Sequence, residues 1–137
     1  MHEAAHAVVA VLLGMTAQAT LEKGRPGCGA CDIEALEGAD GSHRLLVALV
    51  AGAEAEGRLL DRPRAWRAST DDARAMVGLL GDLGRPGAAD KLATARHEAS
   101  RLVRDPAVWR VIEAIATELT ARHAVGTARI REAIRMR

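Results

Sequence analysis

The first helix is predicted from the segment His2-Glu3-Ala4-Ala5-His6-Ala7-Val8-Val9-Ala10-Val11-Leu12-Leu13. This segment combines a helical periodicity with a pair of histidines one turn apart. His2, His6, Val9 and Leu13 recur at spacings of three and four residues, as on one face of an α-helix. Gly14 follows, and helices commonly end at glycine. The pattern therefore predicts a helix over about residues 2–13.

Composition favours a small helical domain. The 137 residues include two Trp and no Phe or Tyr, so the core must be built from aliphatic side chains. Such a core suits helix-on-helix packing better than a β-sandwich. At this length one domain spanning residues 1–137 is expected. Because the motif starts at residue 2, with no helical turn before it, we expect that the N-terminus is truncated just before this helix.

Charge and hydropathy exclude two classes of partner. The net charge of +1 gives no reason to expect nucleic-acid binding or attraction to an anionic membrane. The longest apolar run, residues 4–13, is shorter than the roughly 20 residues that span a bilayer. We therefore expect a soluble, cytoplasmic chain without a membrane segment.

A hairpin and five further helices are expected along the rest of the chain. Thr16–Leu21 alternates weakly, and the turn at residues 24–27 leads to a return strand near residues 31–35. Residues 61–68, which include Pro63, are predicted to form a loop. Asp105 followed by Pro106 is typical of the start of a helix. The helices are expected at about 42–60 with Ser42 as N-cap, 70–80 capped by Ser69 or Thr70, 88–104, 106–123, and from Gly126-Thr127 onward. The chain is predicted to be mainly α, with at most one small β-hairpin.

The segment His2-Glu3-Ala4-Ala5-His6 has the spacing of a zinc site. Residues four apart on a helix share a face, so both imidazoles can reach one metal ion. Glu3 lies about 100° round the helix from His2, where it can take a proton from a water molecule without joining the ligands. Zinc lowers the pKa of such a water toward about 7, and the carboxylate can later pass the proton to the leaving amine.

A catalytic zinc site needs a third protein ligand, and spacing alone does not choose it. The candidates are the remaining histidines and several acids: His43, His97, His123, Glu54, Glu56, Asp71 and Asp72. Glu56 could ligate the metal from a second helix, orient a histidine, or make only a salt bridge. Asp71 and Asp72 could equally be acids that the N-terminus of a helix favours.

Three blocks of sequence resemble the peptidase domain of FtsH-type ATP-dependent zinc proteases. Residues 2–10 resemble that family's H-E-A-G-H-A helix, and residues 50–59 resemble its L-G-G-R-A-A-E-E-L helix. Residues 68–71, with Ala75 four positions after the last of them, resemble its G-A-S-N-D segment. Arg67 and Gly57 depart from these patterns. The resemblance implies a helical zincin-type fold and makes Asp71 the third zinc ligand, with Asp72 and Glu56 as alternates.

The resemblance implies a zinc-dependent endopeptidase and does not extend to that family's ATPase module. We therefore expect cleavage of flexible or unfolded polypeptide, unless an ATPase or adaptor acts in trans. Zincins bind substrate along an edge strand beside the site, and Thr16–Leu21 is expected to be that strand. The alternative is a catalytically inactive helical module that keeps the fold and binds or regulates a partner.

Cys28-Gly29-Ala30-Cys31 has the C-x-x-C spacing of a metal knuckle or a redox pair. A structural zinc site needs two further ligands, and the sequence has no second C-x-x-C. An inert turn is the main expectation, with a reversible disulfide or an auxiliary metal as alternatives.

Overall fold

The computed structural model describes residues 1–25, 28–60, 70–82 and 87–136. Within these ranges the chain forms six helices and three strands. They are α1 (His2–Leu12), β1 (Thr16–Leu21), β2 (Gly29–Glu34), α2 (Gly38–Leu59), α3 (Thr70–Asp82), α4 (Ala88–Arg104), α5 (Pro106–Arg122), β3 (Ala124–Gly126) and α6 (Thr127–Arg135). The expected mainly α class is confirmed.

Helix α1 lies at the centre of the fold. Its residues from Ala4 to Val11 are all buried, and it packs against α2, α5, α6 and the sheet. A helix that is apolar on all sides is stable only inside a core. His6 is the one polar side chain in this buried run and is 2% exposed. The sequence therefore places an imidazole in the interior of the domain.

The sheet has the strand order β2-β1-β3, and both pairings are antiparallel. The expected hairpin is confirmed, although its second strand begins at Gly29, earlier than predicted. Strand β3 was not expected, because three residues are too few to show an alternating pattern. It pairs with β1, so β1 is central and, among the described residues, β2 and β3 are the two edge strands. The expectation that Thr16–Leu21 serves as an edge strand is therefore wrong.

A side-chain cap marks the start of α5. Oδ1 of Asp105 accepts hydrogen bonds from the backbone N–H groups of Ala107 (2.7 Å) and Val108 (3.1 Å), so the predicted N-cap is confirmed. Helix α2 starts at Gly38, four residues before Ser42, so the expected Ser42 cap is wrong. Gly41 permits this earlier start, because a Cβ there would lie 1.9 Å from the carbonyl oxygen of Leu36.

Several sequence expectations fall outside the described residues. These are the loop at 61–68 with Pro63, the Ser69 cap, and part of the turn at residues 24–27. The predicted bounds of α3, α4, α5 and α6 agree with the structure to within two residues. None of the helices in the described ranges combines the length and the hydropathy that a bilayer crossing requires.

Candidate metal centre

His2 and His6 lie on the same face of α1, as their spacing predicts. Their ring centroids are 4.5 Å apart and the ring planes are inclined by 81°. The His2 side chain is 16% exposed, whereas His6 is almost fully buried. The pair therefore presents two imidazoles side by side, one at the rim of the core and one within it.

The Nε2 atoms of both imidazoles point at one carboxylate oxygen. Oδ2 of Asp72, in the first turn of α3, lies 2.9 Å from Nε2 of His2 and 3.3 Å from Nε2 of His6. One ligand atom from each of the three residues falls within 4.8 Å of the others. Across the described parts of the chain, this is the one cluster of three or more His, Cys, Asp or Glu side chains with that proximity.

Helix α2 holds the opposite nitrogen of each ring. Nδ1 of His6 donates to the backbone carbonyl oxygen of Ala48 at 2.7 Å. A carbonyl oxygen can only accept, so Nδ1 carries the proton and a neutral His6 keeps its Nε2 lone pair free. Nδ1 of His2 lies 3.2 Å from Oε1 of Glu56. Both rings are therefore oriented with Nε2 toward Asp72.

The buried Nε2 of His6 makes no hydrogen bond, although it faces the Asp72 carboxylate. Buried polar atoms are nearly always hydrogen-bonded in folded proteins. A metal ion between the imidazoles and the carboxylate would satisfy this nitrogen, since a lone pair that lacks a donor can instead bind a cation.

Gly52 keeps the space beside the two Nε2 atoms open. A Cβ at this position would lie 2.5 Å from Nε2 of His6 and 2.7 Å from Nε2 of His2. Glycine inside a helix is unfavourable by roughly 1 kcal/mol relative to alanine. A glycine inside a helix can indicate that another group lies close to the backbone. The prediction from sequence did not use this indication at Gly52.

Carboxylates surround His2 and favour a positive charge there. Burial, the largest single influence, lowers the pKa of His2. The hydrogen bond to Asp72 and the negative charges of Glu56, Asp72 and Glu3 together outweigh burial and raise that pKa above its usual value. The same surroundings would stabilise a bound cation.

Glu3 lies beside the cluster and lines a cleft of about 710 Å³. Asp72 and Cys31 line the same cleft. A Cβ on Gly29, at the start of β2, would lie 2.7 Å from Cγ of Glu3, so edge strand β2 passes directly over this side chain. Glu3 is therefore next to the three clustered residues and open to a molecule in the cleft.

The structure does not bring Asp71 to the imidazoles. Its side chain is 93% exposed and lies 3.7 Å from Arg74. Consecutive helical residues point about 100° apart, so only one of two adjacent aspartates can face α1. The structure therefore places Asp72, the alternate candidate, beside the histidines, and the expected placement of Asp71 there is wrong.

The remaining candidate ligands have other surroundings. Glu56 contacts His2 on the Nδ1 side, which matches an orienting role. Glu54 lies 3.6 Å from Arg96, and His43 lies 3.0 Å from Glu98. His97 and His123 are also absent from the cluster, within the part of the chain that the structure describes.

Cys28 is exposed and Cys31 is half-buried, and both thiols are free. Burial raises the pKa of the Cys31 thiol to about 12, with smaller contributions from the negative charges of Glu3, Asp32 and Asp72. Redox-active and metal-binding cysteines need an accessible thiolate. The environment of Cys31 therefore agrees with the expected inert turn.

No protein-family model and no curated protein matches the chain. The resemblance to FtsH-type proteases therefore stays a prediction from three blocks of sequence. The arrangement of His2, His6, Asp72 and Glu3 carries the functional argument that follows.

Proposed function

We propose that this chain is a zinc-dependent peptidase domain, in which His2, His6 and Asp72 hold the metal ion and Glu3 is the general base. The observation that carries the proposal is the convergence of two Nε2 atoms on one carboxylate oxygen, at 2.9 and 3.3 Å. Glu3 stands beside this cluster and faces a cleft.

The three donor atoms suit a catalytic zinc ion. Ligands about 2.0–2.1 Å from a tetrahedral zinc lie roughly 3.3–3.4 Å from one another. The 3.3 Å between His6 and Asp72 matches this separation, whereas the 2.9 Å between His2 and Asp72 is the length of a hydrogen bond, which zinc would replace. Two imidazoles and one carboxylate leave a fourth position for water or substrate. A zinc ion there would act as a Lewis acid, polarising a peptide carbonyl and making water more acidic.

Glu3 has the position of a proton carrier. It faces the cleft but is outside the group of clustered ligands, so its carboxylate remains available to the reacting molecules. It would take the proton from the attacking water and deliver it to the amine as the peptide bond breaks. A carboxylate can do both because it is regenerated by the second transfer.

Glu56 and the Ala48 carbonyl are positioning groups in this proposal. Each lies against the Nδ1 atom of one imidazole, 3.2 Å from His2 and 2.7 Å from His6 respectively. The Ala48 carbonyl accepts the Nδ1 proton of His6 and fixes the tautomer of that ring, whereas Nδ1 of His2 makes no hydrogen bond and Glu56 would act on it through its negative charge. Both partners lie on α2, so this helix would set the orientation of the site.

Strand β2 provides a surface for an extended polypeptide. It is the edge strand nearest the site, and Gly29, Ala30 and Cys31 line the cleft beside Glu3. An extended chain can pair with the free edge of such a strand. The substrate class remains flexible or unfolded polypeptide, with an ATPase or adaptor in trans as a source of unfolding.

Zinc content and cleavage of casein, an unfolded protein, test the proposal together. We expect about one zinc per chain after dialysis against trace zinc, since catalytic sites hold a single ion with three protein ligands. The zinc-loaded protein should cleave casein, and Glu3→Gln should retain zinc and abolish cleavage. Cleavage that survives this substitution would disprove the role of Glu3. Retained folding with less than about 0.2 zinc per chain would instead support the inactive module.

A further inference from the structure

The cleft beside the metal cluster is lined by acids on both sides. Its lining includes Glu3, Glu22, Asp71 and Asp72, whereas no Lys, Arg or His lines it among the described residues. The lining also includes the apolar side chains of Leu21, Leu49 and Ala75. A polypeptide lying in the cleft would therefore meet carboxylates along an otherwise apolar surface.

Two of these four acids have no part in the proposed chemistry. Glu22 is 56% exposed and lies 3.6 Å from Arg25, while Asp71 is 93% exposed and lies 3.7 Å from Arg74. The two arginines are themselves 70% and 78% exposed. Exposed pairs at such distances contribute little to stability, so a substrate cation could replace either arginine.

Glu22 and Asp71 belong to different elements. Glu22 directly follows β1, where its N–H donates to the carbonyl oxygen of Cys28 at 2.9 Å. Asp71 is in the first turn of α3. The two carboxylates thus come to the cleft from the sheet and from the helix, with Glu3 and Asp72 also in its lining.

The cleft adjoins the proposed metal site. Asp72, which lines the cleft, lies 3.3 Å from Nε2 of His6, a 98% buried nitrogen that makes no hydrogen bond. The acids of the cleft therefore lie beside a buried nitrogen that could bind a metal ion.

We propose that the cleft selects polypeptide segments carrying lysine or arginine beside the bond to be cleaved, with Glu22 and Asp71 as specificity-determining residues. The inference rests on the proposed peptidase function and names its substrate class. The apolar side chains of the lining would accept the aliphatic stem of a lysine or arginine, while the carboxylates would accept its charged end.

Matched peptides test this specificity. Three ten-residue fluorogenic peptides, which differ only in a central Lys, Gln or Glu, are assayed with zinc-loaded protein. We expect kcat/KM to be about three- to tenfold higher for the Lys peptide than for the Gln peptide, and lowest for the Glu peptide. The ratio should fall as salt rises from 10 to 150 mM, because the screening length shortens from about 30 to about 8 Å.

The double variant Glu22→Gln/Asp71→Asn should bring the Lys-to-Gln ratio close to one. Glu113→Gln is the matched control, since Glu113 is an exposed acid on α5 outside the cleft lining, and it should leave the ratio unchanged. Binding of labelled peptides to zinc-loaded Glu3→Gln protein, followed by fluorescence anisotropy, gives a second readout that does not require cleavage.

Failure of this inference differs from failure of the proposed function. Cleavage of all three peptides at equal rates would overturn the basic preference and leave the peptidase intact. Absence of any cleavage, of peptides and casein alike, would overturn the peptidase. The anisotropy ratio alone would then decide whether the cleft selects basic peptides: a ratio near one overturns selection, and a ratio above about three supports it.

Discussion

Nδ1 of His6 lies 2.7 Å from the carbonyl oxygen of Ala48, so the backbone of α2 orients an imidazole on α1. A backbone acceptor cannot be removed by replacing the side chain of Ala48. The orientation of His6 therefore depends on the distance between the two helices. That distance is set in turn by Gly52, one turn further along α2, where a side chain would meet both imidazoles.

Replacing Gly52 by Ala should weaken zinc binding. The new methyl group would meet the Nε2 atoms of both histidines at under 3 Å, so the rings or the helices must move. We expect zinc affinity, measured by competition with a chelator, to fall about 10- to 100-fold, as when ligand orientation is lost. Gly78→Ala is the control, because a Cβ there meets nothing within 4 Å. It should keep zinc affinity and stabilise α3 by up to about 1 kcal/mol.

The two adjacent aspartates should differ sharply in their effect on zinc. Asp72→Asn removes the charged oxygen that faces both imidazoles, so we expect zinc affinity to fall at least about 10-fold. Asp71→Asn changes a side chain that is 93% exposed and paired only with Arg74, so zinc affinity should stay within about twofold. Isothermal titration of zinc into both variants measures these affinities. Equal losses would show that Asp71, and not Asp72 alone, contributes to the site.

Glu56→Gln should weaken zinc binding by acting through His2. The carboxylate lies 3.2 Å from Nδ1 of that ring, and its loss lowers the basicity of the ligating nitrogen. We expect a roughly tenfold loss of zinc affinity. The zinc-induced rise in Tm should shrink, whereas the Tm of metal-free protein should change little. Glu54→Gln, on the same helix but paired with Arg96, should leave the zinc-induced rise intact.

The two thiols should react at very different rates with an alkylating reagent at pH 8. With a pKa of about 12, Cys31 has only about 1 in 10,000 of its thiol ionised at that pH. Cys28 is exposed and should label quickly. Mass spectrometry of the Cys28→Ser and Cys31→Ser variants assigns each rate. Rapid labelling of Cys31 in the folded protein would show that its thiolate is stabilised, as in a redox pair.

Thr127→Val should destabilise the domain by about 1–3 kcal/mol, the usual penalty for an unsatisfied buried donor. The hydroxyl of Thr127 accepts from the N–H of Ala17 at 2.7 Å and donates to its carbonyl oxygen at 2.9 Å. Valine has the same shape but can do neither. Thr117→Val is the control, since that exposed hydroxyl bonds only to a carbonyl of its own helix. Urea unfolding gives the free energy of unfolding of both variants. Equal values would contradict a stabilising role for the hydrogen bonds between Thr127 and Ala17.

Features with a local cause could be predicted from the sequence. The Asp105 cap depends on N–H groups two and three residues away, and the spacing of His2 and His6 depends only on one helical turn. The hairpin of β1 and β2 follows from a turn between two short strands. In each case neighbouring residues supply the whole interaction, so the pattern appears in the sequence itself.

Features that depend on tertiary packing could not be predicted. Asp72 reaches His2 across 70 residues of chain, and the choice between it and Asp71 depends on how α3 is rotated against α1. Strand β3 has three residues and exists because β1 offers it a partner. The resemblance to FtsH-type proteases indicated Asp71, but the packing of α3 decides which of the two carboxylates faces the histidines.

Ala17 and Thr127 are joined across 110 residues of sequence, and this has a consequence for biosynthesis. A contact between such distant positions forms late, because the whole intervening chain must first be available. Helix α1 packs against α5 and α6, so it reaches its final packing only after α6 has left the ribosome. In the proposed peptidase, the helix that carries both histidines would therefore be incompletely packed during most of translation, which would protect other polypeptides emerging nearby.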